Sequence, residues 1–445
     1  MSLSLRDLTD RFDVLFHTWE KAGRQLYLVG GCVRDVIMKL SDIGDIDLTT
    51  DARPEETSEL LLQAGFPAYP IGARFGTIST IVDGTPIEIT TFRVEEHYEA
   101  GSRKPHVTFG ESLEHDLSRR DLSINAMAAG RGGSLYDPFD GQRAIEERIL
   151  EVPRGGLENT VGILSDDPLR LLRIARFCAR FAFLPTEETT EAAKMTAREL
   201  EHISHERWKM ELDKTLVAPH LDLGLRWLNE VGAFGVLFPS FDGRHAETET
   251  LIEATVSAQS ERITRWGILF LAAAWMHHQQ RLPDLSLPVE QRPDLAQCAH
   301  WAGRAARHFR FSNEEREMVR RLCASTLDTA QLAAAPWDRI TRRRFLYEWG
   351  GLYDAALELA HAWSPEPLEN YPALREEMIM AFATEDVDVR LPHGFGRAVL
   401  EDLGVPRGPR VAETIGLVRQ AIVDGELPNG AESALYLDFL RRQLS

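Results

Sequence analysis

Apolar residues recur at helical spacing from the start of the chain. Leu5, Leu8, Phe12, Leu15, Phe16 and Trp19 predict one amphipathic helix that stops near Gly23. The short run Tyr27, Leu28, Val29 reads as a buried strand broken by Gly30-Gly31, and CVRDVIMKL after it reads as a helix. A second strand carries Asp45 and Asp47, and a helix with Pro54 in its first turn covers Arg53 to Ala64. Phe75 to Val82 and Pro86 to Phe92 are strand-like and are joined by Asp83-Gly84, a hairpin turn signal. Arg93 to Glu114 is polar and aperiodic, which predicts a long loop. Ser118 to Ala129 and Ser165 to Phe181 read as helices, and from Thr186 onward the pattern gives helix after helix. The fold class is therefore an α/β head with a small mixed sheet, followed by an all-α remainder.

Chemistry concentrates in the head. Alternate residues of a strand share a side, so Asp45 and Asp47 project together while Ile46 and Leu48 face the core. Neighbouring carboxylates repel unless a cation sits between them, and their oxygens suit Mg²⁺. The Gly30-Gly31 turn and the helix after it offer N–H groups to an anion, with Arg34 in the first turn. A lone Asp-x-Asp is usually a turn or a pair of solvated acids. The glycine pair also lacks the spacing of a dinucleotide fingerprint. Together, a metal place beside a phosphate place equips the chain for phosphoryl or nucleotidyl transfer. Glu88, on the outward side of IEITTF, is either a third carboxylate for that place or a solvated acid.

The helix over 165–181 adds a second constellation. Asp167 caps it, Pro168 takes the first helical position, and Asp167, Arg170, Arg173 and Arg176 form a charged band that winds slowly around it. Cytosine and adenine present an amino donor beside a bare ring nitrogen, whereas uracil and guanine present a carbonyl beside a ring N–H. A carboxylate only accepts and a guanidinium only donates. An Asp/Arg pair three residues apart thus matches C and A and mismatches U and G.

GGCVRD (Gly30 to Asp35), DIDLTTD (Asp45 to Asp51), RRDLSINAMA (Arg119 to Ala128), YDPFDGQRAI (Tyr136 to Ile145) and DDPLRLLRIARF (Asp166 to Phe177) occur in that order. This series resembles the motifs of class II tRNA nucleotidyltransferases, the CCA-adding enzymes, and of bacterial poly(A) polymerases. Asp166 departs from the usual Glu of the last motif. The resemblance implies a head of polymerase β-like nucleotidyltransferase type at 1–150, a helical neck that selects the base at 151–220, a helical body at 221–335 and a helical, tRNA-binding tail at 336–445. It implies Asp45 and Asp47 as catalytic Mg²⁺ ligands and Gly31, Arg34 and Arg120 as holders of the triphosphate. Asp167 and Arg170 would read the base, and Arg173 and Arg176 would be further nucleotide-binding positions. The implied reaction is template-free addition of C, C and A to the tRNA 3′ end from CTP and ATP. Poly(A) synthesis, A-only addition and an inactive RNA-binding relative are the rivals. The loop at 93–114 matches a flexible segment that helps switch nucleotide choice, and its full length favours addition of the terminal A.

EHISHERWKMELDKTL (Glu201 to Leu216) matches the family's neck helix, and Leu403 to Asn429 resembles the tail that meets the tRNA elbow. WGILFLAAAWMHH (Trp266 to His278) lies where some relatives carry a His-Asp phosphohydrolase motif, but that stretch holds no His-Asp pair, so no phosphatase activity is expected.

Charge and cysteine content narrow the setting. A formal net charge of −19 over 445 residues excludes a protein that coats nucleic acid through bulk charge. Any RNA contact must come from a local basic face; Arg304, Arg307 and Arg310, and the run Arg342 to Arg344, are the candidates for phosphate contacts. Four dispersed cysteines suggest reduced thiols, with neither a disulfide framework nor a zinc site. With no signal-peptide pattern and no apolar run of spanning length, the expected place is cytoplasmic, with no membrane and no obligate protein partner.

Overall fold

The computed structural model describes residues 3–98, 105–110, 112–258, 262–285, 287, 291–334, 338–363 and 371–444. They divide into two compact units, Met1–Ile252 and Glu253–Ser445. At the start, α1 (Leu5–Asp10) and α2 (Asp13–Lys21) replace the single helix expected. Phe12 leaves helical geometry between them, with φ −113° and ψ 20°, and its N–H bonds Thr9 O. Leu8 and Phe12 are both buried across this break. Apolar spacing alone does not separate one helix from two that meet at a shallow bend.

The head continues through β1 (Leu26–Val29), α3 (Gly31–Ile37), β2 (Ile46–Thr50), α4 (Pro54–Gln63) and the hairpin β3 (Thr77–Val82) and β4 (Thr85–Thr91). The pair β5 (Arg93–Tyr98) and β6 (Pro105–Phe109) is antiparallel, where the sequence predicts only loop. Val94, Val107, Thr108 and Phe109 carry strand propensity that the polar composition conceals. Residues 99–104, the middle of that expected loop, lie outside the described residues.

After α5 (Leu113–Ser118) the chain is not helical through SRRDLSINAMAA as expected. Arg119 to Leu122 turn, Ser123–Asn125 make one 3₁₀ turn, and β7 (Ala128–Ala129) enters the sheet. Asp121 explains the turn: its carboxylate accepts the N–H of Leu122 and the side chain of Asn125 instead of facing solvent. Arg119 and Arg120 therefore follow the C-terminal end of α5, where the helix dipole favours cations, not an N-terminus that would repel them.

With β8 (Leu135–Tyr136), the sheet order is β3-β4-β2-β1-β7-β8. β2 and β4 run parallel and the other neighbours antiparallel. One face of the sheet is packed by α2, α3 and α4 around Leu15, Phe16, Trp19, Leu28, Val33, Leu48 and Ile89. The indole N–H of Trp19 donates to Thr50 Oγ1 at 2.9 Å, so the largest core residue has a buried partner.

α6 (Gly141–Glu147) and β9 (Ile149–Leu150) lead out of the head. The helices α7 (Leu157–Asp166), α8 (Leu169–Phe181), α9 (Glu187–Thr196), α10 (His205–Leu216), α11 (Leu221–Glu230) and α12 (Ala233–Leu237) follow. β10 (Leu184–Pro185) pairs with β9 in parallel. α11 lies directly on α8, because Gly224 has no Cβ to strike the Ala175 carbonyl.

α13 (His245–Ser257) spans the division between the units. The second unit holds α14 (Arg262–Gln279), α15 (Leu295–His308), α16 (Asn313–Ala334), α17 (Arg339–Trp349), α18 (Tyr353–Trp363), α19 (Tyr371–Thr384), α20 (Phe395–Leu403), α21 (Pro409–Val423) and α22 (Ser433–Leu444). Trp266, Phe270, Phe309 and Phe311 form its aromatic core, with Trp266 and Phe270 stacked at 5.1 Å. A smaller core joins Phe395, Val399, Val418, Ile422, Tyr436 and Leu440.

The run Arg342 to Arg344 is not a phosphate face. Arg344 grips Asp424 at 2.7 and 2.8 Å, Arg343 is buried with its Nε on Val423 O at 2.6 Å, and Arg342 pairs with Glu377 and Glu385. These three cations bind the C-terminal end of α21 and the acids beside it, so their charge is already answered. Arg304, Arg307 and Arg310 remain exposed. All four cysteines are buried and free, and no described helix is long and apolar enough to cross a membrane.

Candidate active site

β1 ends at Gly30, whose φ of +77° only glycine adopts without strain. A Cβ there would lie 2.9 Å from Arg120 Nη1, so the missing side chain is what lets that guanidinium settle over the turn. Gly31, half-buried, opens α3. Arg120 is held from behind by Asp116, at 3.3 Å.

Sequence reasoning missed Asp116. It is almost fully buried, accepts from Arg119, Arg120 and the Arg93 N–H, and lies 3.4 Å from Thr49 Oγ1. Burial pushes its carboxyl up, but Arg120, Arg119 and these hydrogen bonds overcome that and hold it below the ordinary carboxylate range. No short motif marks this residue; only the fold shows three donors converging on it.

Asp45 precedes β2 and is exposed, while Asp47 lies within β2, half-buried between Ile46 and Leu48 of the core. Glu88 is the cross-strand neighbour of Asp47 on β4 and is exposed. Burial raises the Asp47 carboxyl to about 6; Arg120 opposes that rise, and Glu88 and Asp45 add to it. Two acids and one arginine thus act on Asp47 near the start of β2. Among the described residues no group of three or more His, Cys, Asp or Glu side chains is arranged to enclose a metal. Two carboxylates with the remaining positions open fit an ion shared with a phosphate-bearing substrate better than a closed structural site.

Arg34 lies beside the Gly31 end of the turn: its Nη2 is 3.5 Å from where a Cβ on Gly31 would stand. Its side chain is 5% exposed; Nε and Nη2 bond Asp35 at 2.8 and 2.6 Å, and Nη1 bonds Asn125 at 2.5 Å. Phe177 and Phe181 cover its guanidinium at 5.2 and 5.0 Å. An arginine so enclosed links α3 to α8, in addition to its place beside Gly31.

Asp167 lies at the C-terminal end of α7 and Pro168 is the N-cap of α8, one residue later than expected; the Asp167 carboxylate accepts the Leu169 N–H at 3.3 Å and pairs with Arg207 of α10 at 2.9 Å. Arg170 donates to Ile163 O at 2.6 Å and to Arg119 O at 2.7 Å. The second bond sets the base-reading candidate one residue from Arg120, so the two halves of the proposed site adjoin. Arg173 instead pairs with Asp121 at 2.7 Å, and Arg176 with Glu211 at 2.6 Å while lying 4.3 Å over Phe177. Arg176 is enclosed by these partners, whereas Arg173 keeps part of its side chain exposed beside Asp121. The geometry explains this: each third helical residue falls about 60° back around the axis. The band thus turns from the cleft at Arg170, to the head at Arg173, to α10 at Arg176.

Residues 26–151 match the poly A polymerase head domain, and residues 182–243 match a probable RNA and SrmB-binding site of polymerase A. The chain is 31% identical over 424 residues to a CCA-adding enzyme of Geobacillus sp. (strain WCH70), covering 94% of this chain and 93% of that one. It is 30% identical over 425 residues to that of Bacillus cytotoxicus, covering 95% and 96%. Among solved structures, it is similar to the Bacillus stearothermophilus CCA-adding enzyme in complex with CTP, with a TM-score of 0.72 at 26% identity and 96% of each chain covered.

Proposed function

The chain belongs to the family of CCA-adding enzymes, which are nucleotidyltransferases, and from that premise we propose that it adds C, C and A to the 3′ end of tRNA from CTP and ATP without a nucleic-acid template. The observation that carries this reading is the bond from Arg170 to Arg119 O. It joins Arg170, which with Asp167 we assign to reading the base, to the residue next to Arg120, whose guanidinium lies over the Gly30 turn. Catalysis is assigned to 1–150 and base selection to 151–220. RNA binding is assigned to the helical stretches 221–335 and 336–445, with Arg304, Arg307 and Arg310 as exposed phosphate contacts.

Asp45 and Asp47 would hold Mg²⁺. A metal held there would supply Lewis-acid activation of the 3′-hydroxyl and charge neutralisation at the α-phosphate and the leaving pyrophosphate. Arg120, fixed by Asp116, neutralises the triphosphate, and the absence of a side chain at Gly30 and Gly31 lets phosphate oxygens approach the backbone. Asp167 accepts the amino group of C or A while Arg170 donates to the adjacent ring nitrogen. Template-free choice follows, because each mismatched group in a desolvated pocket costs about 1–3 kcal/mol.

The proposal is tested with purified protein, a tRNA lacking its 3′ end, and each nucleotide alone and combined. Two C residues from CTP alone and one final A when ATP is added is the expected product. An open-ended A tail would mean poly(A) synthesis, and no product from CTP alone would mean A-only addition.

Two further outcomes are expected. Arg207 holds the Asp167 carboxylate, so Arg207→Ala should raise KM for CTP and ATP alike by about tenfold, the scale of one charge-assisted hydrogen bond, with kcat little changed. Steady-state kinetics with each nucleotide checks it. A proton also competes with the cation at Asp47, whose carboxyl titrates near 6. Apparent Mg²⁺ affinity should be flat above neutral pH and fall by about tenfold per pH unit below 6, as measured by Mg²⁺ titration of activity.

A further inference from the structure

Arg34, Asp35, Asp121 and Asn125 are all buried, yet no step above uses them. They are joined in a single chain of bonds. Arg173 donates to Asp121 Oδ2 at 2.7 Å, and the Asn125 amide donates to Asp121 Oδ1 at 3.0 Å. Arg34 donates to Asn125 Oδ1 and to Asp35 Oδ1. Asp35 Oδ2 then lies 3.8 Å from Arg180 and accepts the Gly44 N–H at 3.4 Å.

The circuit begins and ends on one helix. Arg173 and Arg180 are seven residues apart on α8, two turns along one face. Phe177 and Phe181, which cover Arg34, lie on the same stripe. Through Arg34 the circuit reaches α3 behind the Gly30-Gly31 turn. Through Gly44 it reaches the residue before Asp45, and through Asp121 the residue after Arg120. It touches every part of the site and none of the reacting atoms.

A buried ionic network of this kind adds little net stability, since desolvation offsets most of the attraction, but it admits one geometry. We propose that the Arg173–Asp121–Asn125–Arg34–Asp35–Arg180 circuit sets the rotation and depth of α8 against the metal and phosphate elements. Asn125 and Arg34 are then specificity-determining positioning residues. The inference rests on the reading that Asp167 and Arg170 choose the base. If α8 turns by a fraction of a hydrogen-bond length, the Asp/Arg pair no longer meets amino group and ring nitrogen together. Phosphate and metal contacts, which belong to the head, stay in place.

The test compares kcat/KM for CTP with that for UTP on a tRNA ending before its first added C. Asn125→Ala and Arg180→Ala should each lower the CTP/UTP ratio at least tenfold, with kcat for CTP within about fivefold of wild type. The double variant should lose no more than the worse single, because both cut one circuit. A merely structural role lowers the active fraction for every nucleotide and leaves the ratio unmoved, which would overturn the proposal. Arg170→Ala, measured alongside, separates the two layers. If it keeps the wild-type ratio, the base-reading assignment itself fails; if it loses the ratio while folded Asn125→Ala keeps it, the circuit alone is wrong. Should Asn125→Ala not fold by thermal melting, Arg180→Ala decides, since that end of the circuit is partly exposed.

Discussion

Asp47→Asn is expected to lower nucleotide transfer by about a thousandfold or more while raising the melting temperature. The two effects have one cause. Asp47 is half-buried and its carboxyl is raised to about 6, first by burial and then by Glu88 and Asp45, against the opposing pull of Arg120. At pH 7.5 the ionised form is therefore disfavoured in the folded chain relative to the unfolded one. Asparagine keeps the shape, removes the charge, and removes the means of holding a cation, which is worth several kcal/mol to a phosphoryl transition state. The linkage has a definite sign. For a carboxyl raised by folding, the penalty is absent below the unfolded value near 3.8, grows between 3.8 and about 6, and is complete above that. The gain in melting temperature of Asp47→Asn over wild type, measured without divalent cations, should be largest above pH 7 and vanish toward pH 4. Excess Mg²⁺ should shrink it by stabilising only the wild type. Equal melting temperatures at pH 7.5 without metal would mean that Asp47 is not destabilised by its neighbours.

How far the site could be read in advance depends on what each residue faces. The Gly30-Gly31 break and the outward side of Asp47 and of Glu88 follow from turn chemistry and strand period, which are local; that β4 pairs with β2 in parallel, and that β2 starts only after Asp45, are not. Arg120 over Gly30 was reachable only through motif resemblance, and Asp116, which holds it, through neither route. Arg34, Arg173 and Arg176 show the limit. Motif resemblance puts them near the nucleotide, but does not say that Asp35, Asn125, Asp121 and Glu211 pair with them. Partners on other elements decide whether a cation is free, and one helix carries no record of them. The same reason turned Arg342 to Arg344 from a phosphate face into a brace on α21.

Nucleotide choice gives the second large effect. In the wild type, a uracil meets Asp167 with a carbonyl and Arg170 with an N–H, so two contacts fail together. At about 1–3 kcal/mol for each, discrimination of roughly 30-fold to 10⁴-fold is expected. Asp167→Asn replaces an acceptor-only group by one that also donates. UTP should then gain relative to CTP by at least about tenfold, mainly in KM, and GTP relative to ATP likewise. Arg170→Ala removes the other half and also strands the carbonyls of Ile163 and Arg119, so it should lower kcat/KM for every nucleotide while narrowing the C-over-U ratio. The asymmetry between the two is the informative part. Asp167 accepts the Leu169 N–H on Oδ1 and Arg207 on Oδ2; an asparagine keeps one of these two bonds, and neither ties α8 to the head, so its exchange should change preference more than rate. Arg170 ties α8 to the segment that carries Arg120, so its loss should change both. If Asp167→Asn instead lowers all four nucleotides equally with the C-over-U ratio intact, the carboxylate is a helix cap and nothing more, and the reading of the base lies elsewhere in the cleft.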